Sequence, residues 1–132
     1  MRLGVAAALV DGSWVDGDVE VDGGRVVGVG LAPGGAGGRV AVPGFVDLQV
    51  NGVAGVDLRG ADGVAWRRAG EALRAGGTTA FRPTFVTGPA EELEAAVSAL
   101  PAEDGLAGGP RVLGAPLAGP FLSPARPGAH PA

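Results

Sequence analysis

Between Val40 and Ala115, apolar strands alternate with amphipathic helices, and that alternation narrows the possible folds more than anything else in these 132 residues. The run from Val40 to Gly52 gives a turn followed by a nearly continuous apolar strand, the pattern of a parallel strand buried on both faces. Asp62 is a suitable N-cap for a helix over Gly63–Ala75. Its Val64, Trp66, Ala69 and Leu73 share one face, and Gly76-Gly77 ends it. Thr78–Pro83 reads as a second strand. Thr87–Leu100 reads as a second helix, with Pro89 and Glu91-Glu92 in its first turn, an apolar face of Leu93, Val97 and Leu100, and Pro101 as its stop. Val112–Ala115 reads as a third strand. The order strand–helix–strand–helix–strand predicts an α/β fold built from parallel βαβ units.

The preceding residues follow a different rule. Leu3–Val10, Ser13–Val15, Asp18–Val21 and Arg25–Val29 are short strand candidates divided by Asp11-Gly12, Asp16-Gly17 and Asp22-Gly23-Gly24. Asp-Gly tolerates the positive φ values of tight hairpin turns, and Val19/Val21 and Val27/Val29 alternate with the strand period. A meander of this size is marginal without a partner sheet. Leu31–Gly38 has no periodicity and reads as a linker.

Composition excludes several classes of function. The net charge is −4, and all 10 basic residues are arginines with no cationic stripe, which argues against nucleic-acid binding. The absence of cysteine rules out a disulfide scaffold and a thiolate zinc site. The 26 glycines and 11 prolines would suit a disordered chain, but 46% hydrophobic residues argue for buried surface. No stretch approaches the roughly 20 apolar residues of a membrane span, so the expectation is a cytoplasmic protein without membrane contact.

Five segments carry more specific information. They are Pro43-Gly44-Phe45-Val46-Asp47, Gln49-Val50-Asn51-Gly52, Thr78–Thr84, Pro116–Pro124 and Gly128-Ala129-His130-Pro131. Together they resemble the N-acetylglucosamine-6-phosphate deacetylases of the amidohydrolase superfamily, in the branch that has Gln-x-Asn-Gly where most amidohydrolases have His-x-His. In that family the fourth segment reads His-Leu-Glu-Gly-Pro-Phe-Leu-Ser-Pro, and its glutamate is a ligand of the catalytic metal. Here Ala118 stands in the glutamate's place and Pro116 in the histidine's.

The resemblance implies an N-terminal β-sandwich segment over 1–42, followed over 43–132 by the first three βα units of an incomplete TIM-type (β/α)8 hydrolase barrel. A whole barrel needs roughly 250 residues, so the chain is expected to be a truncated family member, inactive by itself. The reaction implied is hydrolysis of the N-acetyl group of an amino-sugar phosphate to glucosamine 6-phosphate and acetate. Its cofactor would be a divalent metal, zinc or similar, in the full-length family, with none bound by this chain. The general-base aspartate would lie downstream, and the full-length family implies a homo-oligomer.

By the same resemblance, Ala129 and His130 contact the substrate, and Gln49, Asn51 and Gly119 line the pocket. Two other readings remain open: a degenerate, non-catalytic copy acting as a binding or oligomerisation module, and a different amidohydrolase activity. Ala118 favours the first, and the absence of His-x-His weighs against the second.

Overall fold

A computed structural model describes residues 1–33, 37–119, 121–123, 125–128 and 130. The chain separates into two compact units, Met1–Pro43 and Gly44–Ala132.

In the first unit, β1 (Ala7–Val10) and β2 (Ser13–Asp16) form an antiparallel hairpin. Its turn residues Asp11 and Gly12 have φ of 49° and 78°, the left-handed pair the sequence called for. β3 (Asp18–Asp22) and β4 (Arg25–Leu31) form a second hairpin, closed by Gly23-Gly24, both also at positive φ. β5 (Val40–Ala41) adds to β1 in parallel, giving the order β2-β1-β5. Val5, Ala8 and Val19 form the apolar centre of this unit, with Leu3, Val10, Val21 and Ala41 packed around them.

The first strand starts four residues later than expected. Gly4 adopts φ +68°, and the Val5 amide donates to the Asp18 carboxylate at 3.0 Å instead of joining a ladder. Asp18 is fully buried and also accepts from its neighbour Val19 N–H at 2.8 Å and from Arg2 Nε at 3.1 Å. The Val5 amide does most to hold the Asp18 carboxyl below its ordinary range, helped by Val19 and the Arg2 guanidinium, while burial pushes the other way.

The second unit carries the alternating pattern. β6 (Phe45–Val50) leads into a short hairpin, β7 (Gly52–Val53) and β8 (Val56–Asp57), then a 3₁₀ turn at Leu58–Gly60. α1 spans Gly63–Ala75 as read, with Asp62 Oδ1 accepting from Val64 N and Ala65 N at 3.0 and 2.8 Å. β9 (Thr78–Pro83) and β10 (Phe85–Val86) follow, then α2 (Ala90–Ser98), β11 (Arg111–Val112) and β12 (Leu117–Ala118). β6, β9 and β11 form one parallel sheet in the order β11-β9-β6, and β10 pairs in parallel with β12. The core is Phe81, Phe85, Leu58, Trp66, Leu73, Leu93 and Val112 with their neighbours.

Five further sequence expectations need correction. β6 is not buried on both faces: Phe45, Val46 and Leu48 are exposed, because β6 packs mainly along its edge against β9 and no helix makes broad contact with its faces among the described residues. Val64 leaves the apolar face of α1, which instead buries Trp66, Ala69, Gly70 and Leu73. α2 begins at Ala90 with Pro89 as its cap, since a residue preceding proline is pushed out of the helical region and Gly88 cannot extend the helix. It buries Leu93 and Ala96, while Val97 faces out. The third strand is shortened to Arg111–Val112 because Gly114 turns the backbone to φ +74°.

Candidate functional site

The residues that carry chemistry gather where β6, β9 and β12 end. Val50, the last residue of β6, is buried, and its carbonyl accepts from Thr84 N–H at 2.9 Å. Asn51 follows, and its Nδ2 donates back to the Thr84 carbonyl at 3.0 Å. This reciprocal pair clips the ends of β6 and β9 together. The β7–β8 hairpin that follows requires Gly52, because a Cβ there would sit 2.5 Å from the Val56 carbonyl oxygen.

Asn51 and Thr84 line a cleft of about 380 Å³ with Val56, Asp57, Arg59 and Phe85 among its walls. The Asp57 carboxylate caps the 3₁₀ turn by accepting from Arg59 N–H at 2.9 Å. The Arg59 guanidinium lies 3.8 Å from Glu92. That exposed pair contributes little to stability and leaves a cation at the cleft wall. Thr84 is buried, and its Oγ1 has no hydrogen-bond partner among the described residues; the same holds for Arg82 Nε on β9.

The end of β12 forms a second junction. Thr87 Oγ1 donates to the Ala118 carbonyl, and the Thr87 amide donates to His130 Nδ1 at 3.4 Å. Gly119 makes room for this arrangement at φ +119°. The two junctions lie on one short segment, Thr84 to Thr87, so Asn51, Ala118, Gly119 and His130 are held by neighbouring stretches of backbone.

Gln49 is exposed on β6, with its amide donating to Asp47 Oδ1 at 3.1 Å, and it is not among the residues lining the cleft. Ala129 lies outside the described residues. Thr87 and Arg59 were missed by sequence reading. Thr87 meets partners 31 and 43 residues away, separations that leave no local signal.

A metal does not fit this arrangement. Ala118 offers a methyl group and a carbonyl already engaged by Thr87. Among the described residues, no group of three or more His, Cys, Asp or Glu could hold a metal ion.

No family model matches the chain. Among characterised proteins it is 42% identical over 100 residues to the N-acetylglucosamine-6-phosphate deacetylases of Rattus norvegicus and Homo sapiens, covering 72% of this chain and 24% of those proteins. Over this span the chain is similar to the N-terminal portion of the N-acetylglucosamine-6-phosphate deacetylases. It spans about a quarter of the length of these relatives, as the 24% coverage states.

The fold agrees with the sequence. The deacetylase of Mycobacterium smegmatis, solved as a mutant in complex with N-acetyl-D-glucosamine-6-phosphate, superposes with a TM-score of 0.79 at 33% identity, over 99% of this chain and 35% of that one. The deacetylase of Thermotoga maritima gives 0.78 at 28% identity, with the same coverage of each chain. A related activity is also represented: the N-acetylgalactosamine-6-phosphate deacetylase of Escherichia coli O157:H7 is 36% identical over 96 residues, 67% of this chain and 24% of that protein. Among the described residues no helix is long and apolar enough to cross a membrane.

Proposed function

We propose that these residues form the substrate-side wall of an N-acetylglucosamine-6-phosphate deacetylase: a small β-sandwich segment followed by the first three βα units of a (β/α)8 barrel. The observation that supports this best is the pair of junctions at the strand ends. In (β/α)8 barrels the chemistry sits at the C-terminal ends of the strands, and here those ends bring Asn51, Thr84, Ala118, Gly119 and His130 onto adjoining backbone. The ligand is an amino-sugar phosphate. His130 offers a hydrogen-bond donor to one of its oxygens, and Asn51 and Gly119 shape the wall around it.

The bond broken is the amide C–N of the acetamido group, with water as the nucleophile. In metal-dependent amide hydrolysis a divalent ion polarises the carbonyl and lowers the pKa of the attacking water. The strand-end position that would supply a carboxylate to such an ion is Ala118, so this segment binds and orients but does not activate water. A general base and metal-binding histidines would have to come from other residues, because His130 is the single histidine of the sequence.

Two assays test the reading. The purified 132-residue protein with added zinc is expected to release no glucosamine 6-phosphate above a mock-purified control. A chimera joining residues 1–132, with Ala118→Glu, to the remaining length of a deacetylase relative is expected to hydrolyse N-acetylglucosamine 6-phosphate. Turnover by the short protein, or an inactive but folded chimera, would overturn it. A chimera that is equally active with Ala118 in place would show that position 118 is not the ligand site. The second reading, a non-catalytic binding module, is favoured by Ala118 alone; it is supported if the folded chimera binds the sugar phosphate yet never turns it over.

A further inference from the structure

We infer that Thr87 is a positioning residue that ties the end of β12 to His130 and sets which imidazole nitrogen faces the ligand. The inference rests on the reading above that His130 meets the amino-sugar ligand. Thr87 lies just beyond β10 and before α2, and it uses two different groups on two different partners. Its hydroxyl donates to the Ala118 carbonyl, fixing the last residue of β12. Its backbone amide donates to His130 Nδ1 at 3.4 Å, while the His130 amide donates to the Pro127 carbonyl at 3.1 Å and holds the histidine in a turn.

The chemical consequence follows from the donor. A backbone N–H can only donate, so Nδ1 of His130 must be the acceptor. The neutral imidazole then carries its proton on Nε2, and which nitrogen is protonated is set by the hydrogen bond the other makes. Nε2–H is therefore presented as a donor, suited to a sugar hydroxyl, phosphate or carbonyl oxygen. A doubly protonated imidazolium would place two N–H donors face to face at Thr87 and break the contact.

Gly119 supplies independent support. Its Cβ, if present, would sit 2.1 Å from Thr87 Oγ1 and 3.1 Å from Thr87 Cβ. The backbone leaving β12 thus passes directly against the Thr87 side chain, and the residue at that point is glycine. The hydroxyl and the amide together bracket two positions that lie 31 and 43 residues beyond Thr87 in sequence.

The experiment is solution NMR on the uniformly ¹⁵N-labelled 132-residue protein, in which the single histidine makes the imidazole signals unambiguous. No sugar phosphate is present, so the result is independent of the deacetylase reading. The Thr87 amide resonance is expected to move with the titration of His130, and to stop doing so in His130→Ala. Thr87→Ser, which keeps both the hydroxyl and the amide, is expected to retain the response. Thr87→Val, which keeps the amide but loses the hydroxyl, is expected to reduce it at least twofold. A folded wild-type protein whose Thr87 amide ignores the His130 titration would overturn the contact. A folded Thr87→Val protein with an unchanged response would overturn the role of the hydroxyl. The wild-type and Thr87→Ser measurements decide the contact even where the valine variant does not fold.

Discussion

Gly119 and Thr87 occupy space that only a glycine can share: with φ at +119°, a Cβ on residue 119 would overlap Thr87 Oγ1 at 2.1 Å. Gly119→Ala therefore meets two penalties at once, a backbone conformation that L-residues rarely adopt and a collision with a side chain already committed to the Ala118 carbonyl. Each is of the order of 1–3 kcal/mol, and a combined loss of roughly 2–6 kcal/mol is expected in urea denaturation. Thr87→Ala in the same background should restore the steric part only. A double-mutant cycle separates the two.

Phe81 carries the centre of the second unit. It is fully buried on β9, with its ring centroid 6.4 Å from that of Trp66 on α1. Phe81→Ala is expected to cost about 3–5 kcal/mol, the range for emptying a packed aromatic site. A change in denaturation midpoint worth less than about 1 kcal/mol would mean that α1 and β9 do not share this core.

Asp18 makes the first unit sensitive to acid. Its carboxyl is held below the ordinary value of 3.8 by the Val5 amide first, and by Val19 and Arg2. A depressed folded-state pKa contributes stability above the unfolded value and loses it as pH falls through the folded value. The unit should therefore weaken progressively below about pH 4. Asp18→Asn should be less stable at neutral pH and show a flatter acid limb. Thermal melts at stepped pH check both, and an unchanged acid limb in the variant would remove Asp18 as the source.

Asp62 starts α1 with one carboxylate oxygen serving two amides, Val64 and Ala65. Asp62→Ala should cost about 1 kcal/mol, while Asp62→Ser should recover most of it. Chemical denaturation of the two variants gives the comparison.

Ala118 offers no electron pair from its side chain, and its carbonyl is engaged by Thr87. Ala118→Glu in the 132-residue protein is expected to leave zinc content essentially unchanged, because among the described residues no further ligand group is assembled. Tight one-to-one zinc in that variant, by metal analysis after dialysis, would show a ligand set that these residues do not account for.

What the sequence determined by itself was local. Asp62 and the Gly76-Gly77 pair bounded α1 correctly, and Asp11-Gly12 announced a tight hairpin, because caps and positive-φ turns act through atoms a few residues apart. The strand–helix alternation likewise predicted the parallel pairing of β6, β9 and β11. The motif segments pointed to the deacetylases through side chains read in order, without any geometry. Tertiary structure decided the rest. Only the folded path brings β12 beside β10, seats Thr87 between Ala118 and His130, and puts Arg59 on the cleft wall. It also leaves Phe45 and Leu48 exposed on an edge strand whose apolar run reads as buried. Hydrophobicity records which residues favour burial, but which neighbour covers them is set by contacts between residues tens of positions apart, where no periodicity or cap reaches.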